Sequence, residues 1–449
     1  MLGPRQFVNP FVSSHLHAMA TLFDNRCESV IDLSIGAPSR DMMPISMMAA
    51  ACHTALSCED AWHSFQYGPE SGDHAFREEL AVLLSTQILN LDSDQHTPVQ
   101  SHTLACTSGA SQSLANLLSL LTHPIYTTHV FLQSPTYHLV FQMIKDRGFD
   151  QKQLIAVPED ADGIKIEWLQ KQLDELQIGE SSRHPRFYNA VLYTVPTYSN
   201  PSSTILSPER RLQLVELARR HNLLVICDDV YDMLYYDTTI RPPPSLISYD
   251  LNDIQSRPGR GNVISNGTFS KILAPGTRCG WIQARPELIN LITESGVYVS
   301  GGSPAHFVSK MIHEALKNGS LSKHIKDSRS VLHDRLVNGL SKPIDNLLLP
   351  LGCSYCKPRG GYFVWLKLPK SISSIRLQNT IEKHKINVSC GYGYKFAVPS
   401  EGDIESKLDI GRHIRLCFAY YNTSDLNTAV GYLHQAIQLC IDEADEECN

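Results

Sequence analysis

The sequence predicts an α/β protein: a large domain in which helices cover a mostly parallel sheet, and a smaller α+β domain. Three observations carry this expectation. The chain has 449 residues, about three times a typical domain of ~150, with 42% apolar residues and 26 glycines, the composition of a globular chain with a sizeable core. Through its middle, short apolar runs of strand length alternate with stretches of helical period. Beyond about residue 318 the alternation gives way to one long helical pattern and a few separate strands.

Taken in order, Thr103–Cys106 reads as a buried strand that leads through Thr107-Ser108-Gly109-Ala110 into an apolar helix from Ser111 to about Leu121. Val130–Leu132, Val191–Val195, Leu223–Cys227 and Val263–Ser265 read as four further strands. Between Val195 and Leu223, Ser207 supplies an N-cap and Pro208 the first helical position, with Leu212, Val215 and Leu217 as the expected apolar face. Strands alternating with helices imply a parallel sheet covered on both sides, and ligands then sit beyond the carboxyl ends of the strands. Behind this core, Ile325, Val331, Leu332, Leu336 and Leu340 recur at helical spacing in a polar stretch from Leu321, which suits a long connector. Gly361–Trp365 and His413–Phe418 read as strands of the smaller domain.

Composition narrows the function classes. Lys and Arg number 39 against 46 Asp and Glu, a formal balance of −7, and such a surface repels polyphosphate and anionic lipid. Neither nucleic acid nor membrane is an expected partner. No apolar run approaches the ~20 residues that cross a bilayer. Met1 to Pro10 lack the basic start and apolar core of a secretory signal, so a cytoplasmic location is expected. The twelve cysteines are scattered rather than concentrated as in a small secreted scaffold. Cys353 and Cys356 have the spacing of half a zinc site, but no second Cys or His pair stands at a matching distance, and no metal is expected.

Four strand ends deliver unusual polar residues. The strand at Val263 leads to Asn266-Gly267-Thr268-Phe269-Ser270-Lys271, followed by Ala274-Pro275-Gly276-Thr277-Arg278. An amine at the mouth of a buried sheet loses protonation by desolvation and becomes a nucleophile towards carbonyls, so Lys271 suits a Schiff base; a surface lysine in a polar turn fits the segment equally. The strand at Leu223 ends in Asp228-Asp229-Val230-Tyr231. A carboxylate leaving an apolar strand needs a cation or donor, which a protonated pyridine nitrogen would supply; the alternative is a pair of N-caps starting a helix. Ser108-Gly109-Ala110-Ser111 opens a helix whose free N–H groups suit a phosphate, although Ser and Gly before a helix are also ordinary capping. Val191–Val195 runs into Tyr198-Ser199-Asn200-Pro201, where Asn200 precedes a rigid turn.

Joined in this order, the segments resemble the pyridoxal-phosphate aminotransferases of fold type I, the class I/II group, from about Ile35 to the C-terminus. The wider likeness is to members acting on kynurenine, 2-aminoadipate or aromatic amino acids. The resemblance implies a seven-stranded sheet in the large domain and a division into an N-terminal arm with part of the small domain (1–60), a cofactor-binding domain (61–318) and a C-terminal small domain (319–449). It implies that Lys271 of Thr268-Phe269-Ser270-Lys271 holds pyridoxal 5′-phosphate as an imine, and that Thr268, Ser270, Arg278, Ser108, Gly109, Ala110 and Ser111 take its phosphate. Asp228, Tyr231 and Asn200 fall on the residues that meet the ring nitrogen and phenolic oxygen, and Tyr137 of Ser134-Pro135-Thr136-Tyr137 on the ring-stacking aromatic. Ile414-Arg415-Leu416 places Arg415 on the substrate α-carboxylate, and Gly36 lines the pocket. Tyr67, in Tyr67-Gly68-Pro69-Glu70-Ser71-Gly72, implies a homodimer in which one subunit reaches its neighbour's phosphate. Two positions depart from the pattern: Thr268 replaces the usual Ser, and Asn200-Pro201-Ser202-Ser203 lacks the glycine common two residues after the proline.

The activity so implied moves an amino group from an L-amino acid, aromatic or 2-aminoadipate-like, to a 2-oxo acid such as 2-oxoglutarate. Arg40, just after the Gly36 segment, is either a contact for a second carboxylate or a surface arginine. The same fold and lysine also serve carbon–sulfur lyases, which eliminate a β-substituent after the same proton abstraction. A ligand-sensing module is a further reading, and it fits less well because only about 35 residues precede Gly36, without a basic cluster.

Overall fold

The computed structural model describes residues 30–88, 97–178, 184–237, 239–252, 254, 257–400 and 404–448. Met1–Pro10, with the expected absence of a signal, and Cys27 lie outside them. In chain order the strands are β1 (Ile31–Asp32), β2 (Leu104–Thr107), β3 (His129–Ser134), β4 (Leu154–Asp160), β5 (Gly163–Ile164), β6 (Ala190–Thr194), β7 (Leu223–Asp228), β8 (Val263–Thr268), β9 (Gly280–Gln283), β10 (Ser354–Tyr355), β11 (Phe363–Lys367), β12 (Val388–Ser389), β13 (Gly391–Tyr392) and β14 (His413–Cys417).

Eight strands form the large sheet, in the order β2-β9-β8-β7-β6-β3-β4-β5. From β8 to β4 the neighbours are parallel, whereas β9 runs antiparallel to both β2 and β8. Seven strands make the body of the sheet, and the two-residue β5 adds an eighth at its edge as an antiparallel partner of β4. Every residue of β7 is buried because each face is covered: Leu224 and Ile226 join the principal core, Leu223, Val225 and Cys227 the second. A second sheet, β10-β11-β14-β13, is antiparallel, and β1 pairs in parallel with β12.

The helices follow the expected pattern with three corrections, and one alternative left open by the sequence is decided. The helix after β2 spans Ala110–Leu121, one residue longer at its start than expected. In the helix Pro208–His221 the Ser207 side chain caps Arg210 N–H as expected, but Leu212 points outward and Arg211 is buried in its place. Arg211 can go inside because its guanidinium finds acceptors there: Leu206 O (2.9 Å), Pro244 O (3.0 Å), Pro196 O (3.0 Å) and Thr197 Oγ1 (2.9 Å). In the connector, Ser320–Asp334, the buried stripe is Leu321, Ile325, Ser328 and Leu332, which leaves Val331 one position off it and partly exposed. Its helical course continues through wider turns over Arg335–Ser341 and Ile344–Leu348, around Pro343, which cannot donate the regular bond. Finally, Asp228-Asp229 starts no helix; the chain bends through Val230–Met233.

Arg335 sits where three distant segments meet. Its Nη1 donates to Ser39 Oγ (2.8 Å) and Ala419 O (2.7 Å), and its Nη2 pairs with Asp41 Oδ2 (2.8 Å). Among the described residues no helix is long and apolar enough to cross a membrane, and no group of His, Cys, Asp and Glu is placed to hold a metal.

Candidate active site

The link between β8 and β9 leaves the carboxyl end of β8 and folds back at once. Phe269 N–H donates to Cys279 O (3.1 Å), and the Phe269 ring meets Trp281 edge-on at 5.1 Å, so this residue anchors the excursion in the core. Lys271 is thereby carried over the strand ends. Its Nζ donates to Gly36 O (2.6 Å), and its own carbonyl accepts from the Tyr362 hydroxyl (2.8 Å). Burial lowers the amine to about 8; the Arg415 and Arg278 charges push the same way, against Cys417 and Asp228.

Asp228 ends β7 and is buried. The Tyr193 hydroxyl of β6 donates to its Oδ2 (2.7 Å), whereas Oδ1 has no hydrogen-bond partner among the described residues. Burial raises this carboxyl to about 6, even though the Tyr193 bond and the Lys271 charge favour its ionised form. Tyr231, three residues on, is buried with its ring centre 5.5 Å from Tyr362 and 5.9 Å from Phe363, and burial holds its hydroxyl well above the usual phenol range. Tyr137 lies within the same field: burial pushes its hydroxyl up to about 12, Asp228 adding to the rise and Arg415 opposing it.

Arg415, in the middle of β14, is buried and aimed across to the large sheet. Its Nη1 donates to Asn200 Oδ1 (2.7 Å) and its Nη2 to Ser34 O (2.7 Å). The guanidinium carbon lies 4.1 Å from the Phe363 ring centre and 4.9 Å from that of Phe396, an aromatic sandwich that offsets part of the desolvation. Asn200 thus faces Arg415 from a turn after β6.

The cradle for an anion forms on the other side of Lys271. Gly109, at φ 91°, opens the helix Ala110–Leu121, and a Cβ on it would stand 3.2 Å from Arg278 Nη2. Arg278 reaches Ser108 O at 3.5 Å, and Ser270 N–H and Oγ both meet Thr268 Oγ1 (3.1 and 3.0 Å). Asn266 Nδ2 ties the helix start to β8 through Ala110 O (2.9 Å). Gly109, Ser108 and Arg278 therefore meet at the start of the helix Ala110–Leu121, and Thr268 and Ser270 are bonded to each other at the end of β8, which Asn266 ties to that helix start.

Two candidates stand apart from this cluster. Tyr67 is 80% exposed, its ring near Gly301, and Arg40 is exposed beside the Asp41 that pairs with Arg335. Sequence reasoning also missed residues that complete the site. Tyr193 is signalled only as the one hydroxyl-bearing ring in the aliphatic run Ala190-Val191-Leu192-Tyr193. Asn266 stands in the polar segment that ends β8 but drew no role there, and Phe396 carries no such signal.

A buried carboxylate with a free oxygen, a low-pKa lysine and an anion cradle on one rim set the context for the likeness to known proteins. The family model "Aminotransferase class I and II" matches residues 28–433. The chain belongs to that family. It is 30% identical over 394 residues to the uncharacterized yeast protein YER152C of Saccharomyces cerevisiae, covering 81% of this chain and 87% of that one. It is 26% identical to aromatic-amino-acid aminotransferase 1 of Thermococcus litoralis, over 91% of this chain and 88% of that one. A solved structure of Pyrococcus horikoshii kynurenine aminotransferase superposes with a TM-score of 0.74 at 26% identity, covering 95% and 94% of the two chains. As a class I/II aminotransferase the chain is a transaminase dependent on pyridoxal 5′-phosphate. Its residues fit that group: the free Asp228 Oδ1 can meet a protonated ring nitrogen, and the Arg278 guanidinium stands against the side-chain-free Gly109 at a helix N-terminus, a cation and free N–H groups that suit a phosphate.

Proposed function

We propose that this transaminase moves the amino group of an aromatic or 2-aminoadipate-like L-amino acid onto a 2-oxo acid such as 2-oxoglutarate, by ping-pong kinetics. The observation that carries the reading is the convergence of Lys271 Nζ, held at Gly36 O, with Arg415, held at Asn200 and Ser34. The donor class rests on the aromatic walls given by Tyr137, Tyr362, Phe363 and Phe396, and on the names of the aromatic-amino-acid and kynurenine enzymes it is similar to.

When bound, the cofactor supplies an electron-accepting ring that acidifies the substrate Cα–H. Lys271 would hold the cofactor and, with its amine free, would be the base that carries a proton from Cα; burial lowers that amine to about 8, which is matched to the task. Asp228 would hold the ring nitrogen in its protonated form, and Asn200 and Tyr231 would take the opposite oxygen. Tyr137 would supply the aromatic face against that ring. Ser108, Gly109, Ala110, Ser111, Thr268, Ser270 and Arg278 bind the phosphate, joined by Tyr67 of the neighbouring subunit in a homodimer. Arg415, with Asn200 and Gly36, binds the α-carboxylate and directs Cα–H towards Lys271, so that deprotonation wins over decarboxylation. The three-part division at 60/61 and 318/319 belongs to the same reading.

A panel of amino acids against 2-oxoglutarate tests it. Amino transfer is expected for aromatic or 2-aminoadipate-like donors, and Lys271→Ala is expected to bind cofactor without turnover. Ammonia and pyruvate released without any 2-oxo acid would instead assign a carbon–sulfur lyase. Full transfer by Lys271→Ala would overturn the lysine's role.

A further inference from the structure

The Asn200 turn is fastened at two points to the small sheet that faces it, once to β14 and once to β11. The first is the Arg415–Asn200 bond. The second comes from Ser203, which occupies the left-handed region at φ 61°, a conformation glycine adopts without steric penalty. Its N–H donates to Ser199 O (2.6 Å) and closes the turn, while its Oγ donates to Phe363 O (2.7 Å) across to β11.

That carbonyl is available for a reason of register. Phe418 N–H donates to Tyr362 O (3.1 Å), so Tyr362 and Phe418 form the hydrogen-bonded pair and the adjacent pair, Phe363 with Cys417, turns its peptide groups away from β14. On that other edge β10 pairs only with Leu366 and Lys367, so it stops short of Phe363. Ser203 meets the edge where the strand partner ends. The residue it grips carries the ring on which Arg415 lies at 4.1 Å. Ser203, Phe363, Arg415 and Asn200 thus close a ring of contacts that begins and ends in one turn.

We propose that Ser203 is a positioning residue: its hydroxyl locks the Asn200 turn to β11 and so fixes the Arg415–Asn200 pair in register for a substrate carboxylate. A side chain that serves no purpose here would be replaced at no loss by glycine, which fits the backbone better; the hydroxyl bond is what offsets the left-handed conformation. The proposal rests on Arg415 as the carboxylate clamp.

The test compares the holoenzyme with Ser203→Gly and Ser203→Ala. The half-reaction with an amino donor is followed by loss of the lysine-linked cofactor's absorbance, and amide exchange is read over 199–204 and 361–364. Both variants are expected to keep that absorbance, to raise the donor's half-saturation constant about fivefold and to change the limiting rate less than about twofold, the size expected for one lost hydrogen bond. Exchange in both segments is expected to quicken, and Ser203→Ala, which keeps the strained backbone, to melt below Ser203→Gly. A folded Ser203→Gly whose half-saturation constant stays within about twofold of the parent, or whose exchange is unchanged, overturns the proposal. Should the parent enzyme accept no amino donor, the proposed function fails, and the exchange comparison still decides on the tether.

Discussion

Asp228 shows what burial does to a single carboxyl at the end of a strand. Its carboxyl, ordinarily at 3.8, is raised to about 6 by burial, so the folded apoprotein opposes its ionisation. Because the folded value lies above the unfolded one, the penalty is absent below about pH 4, grows as pH rises through about 6, and is on the order of 3 kcal/mol above it. Asp228→Asn is therefore expected to raise the melting temperature of the apoprotein by a few degrees at pH 7.5 and to leave it unchanged at pH 4, while abolishing most transamination. Equal melting at both pH values would show that Asp228 is not strained in the apoprotein. Asp228 and Lys271 were legible in the sequence because each lies in a contiguous segment at a strand end. Tyr193 and Phe396 were not: Tyr193 lies inside a buried strand ahead of the turn that drew notice, and Phe396 reaches Arg415 from a segment that carries no chemistry of its own.

At the scale of elements, the strands read from the sequence were those with a sustained apolar run, such as β7, whose first five residues, Leu223–Cys227, are all apolar. Missed strands explain themselves. β9, Gly280-Trp281-Ile282-Gln283, is four residues long and antiparallel, and β4 carries Pro158-Glu159-Asp160 at its end, so neither shows a sustained apolar run. Leu212 misled because periodicity ranks Leu above Arg for an inward position, whereas four acceptors made Arg211 the better fit. The β8–β9 pair carries its own test. A Cβ at Gly267 would lie 2.1 Å from the Trp281 ring, which is rigid and packed against Phe269. Gly267→Ala is expected to lose roughly 1–3 kcal/mol or more in denaturant unfolding and to weaken cofactor retention, because Thr268 and Ser270 follow directly. Parent-like stability would mean that Trp281 moves aside.

Across the whole molecule, Trp62, Phe65 and Tyr67 stand 58%, 72% and 80% exposed on one short segment, and Phe65 meets the ring of Phe307 at 5.2 Å. Such a patch with Tyr67 at its end suits the proposed homodimer. Sedimentation of the purified protein is expected to give a dimer, and Phe65→Asp a monomer with weakened cofactor binding; a Phe65→Asp variant that stays dimeric with full affinity would remove this surface from the interface. Partner-dependent residues cannot be told from surface ones by spacing, which is why Tyr67 was placed only by family likeness. The meeting of Ser39, Asp41 and Ala419 at Arg335 has a bearing on processing. A protease or an internal start codon that shortened the polypeptide beyond position 41 would strand a guanidinium inside the protein with one backbone acceptor left, and would take Gly36 and Ser34 from Lys271 and Arg415 as well, so clipped forms should unfold early and lose the pocket together.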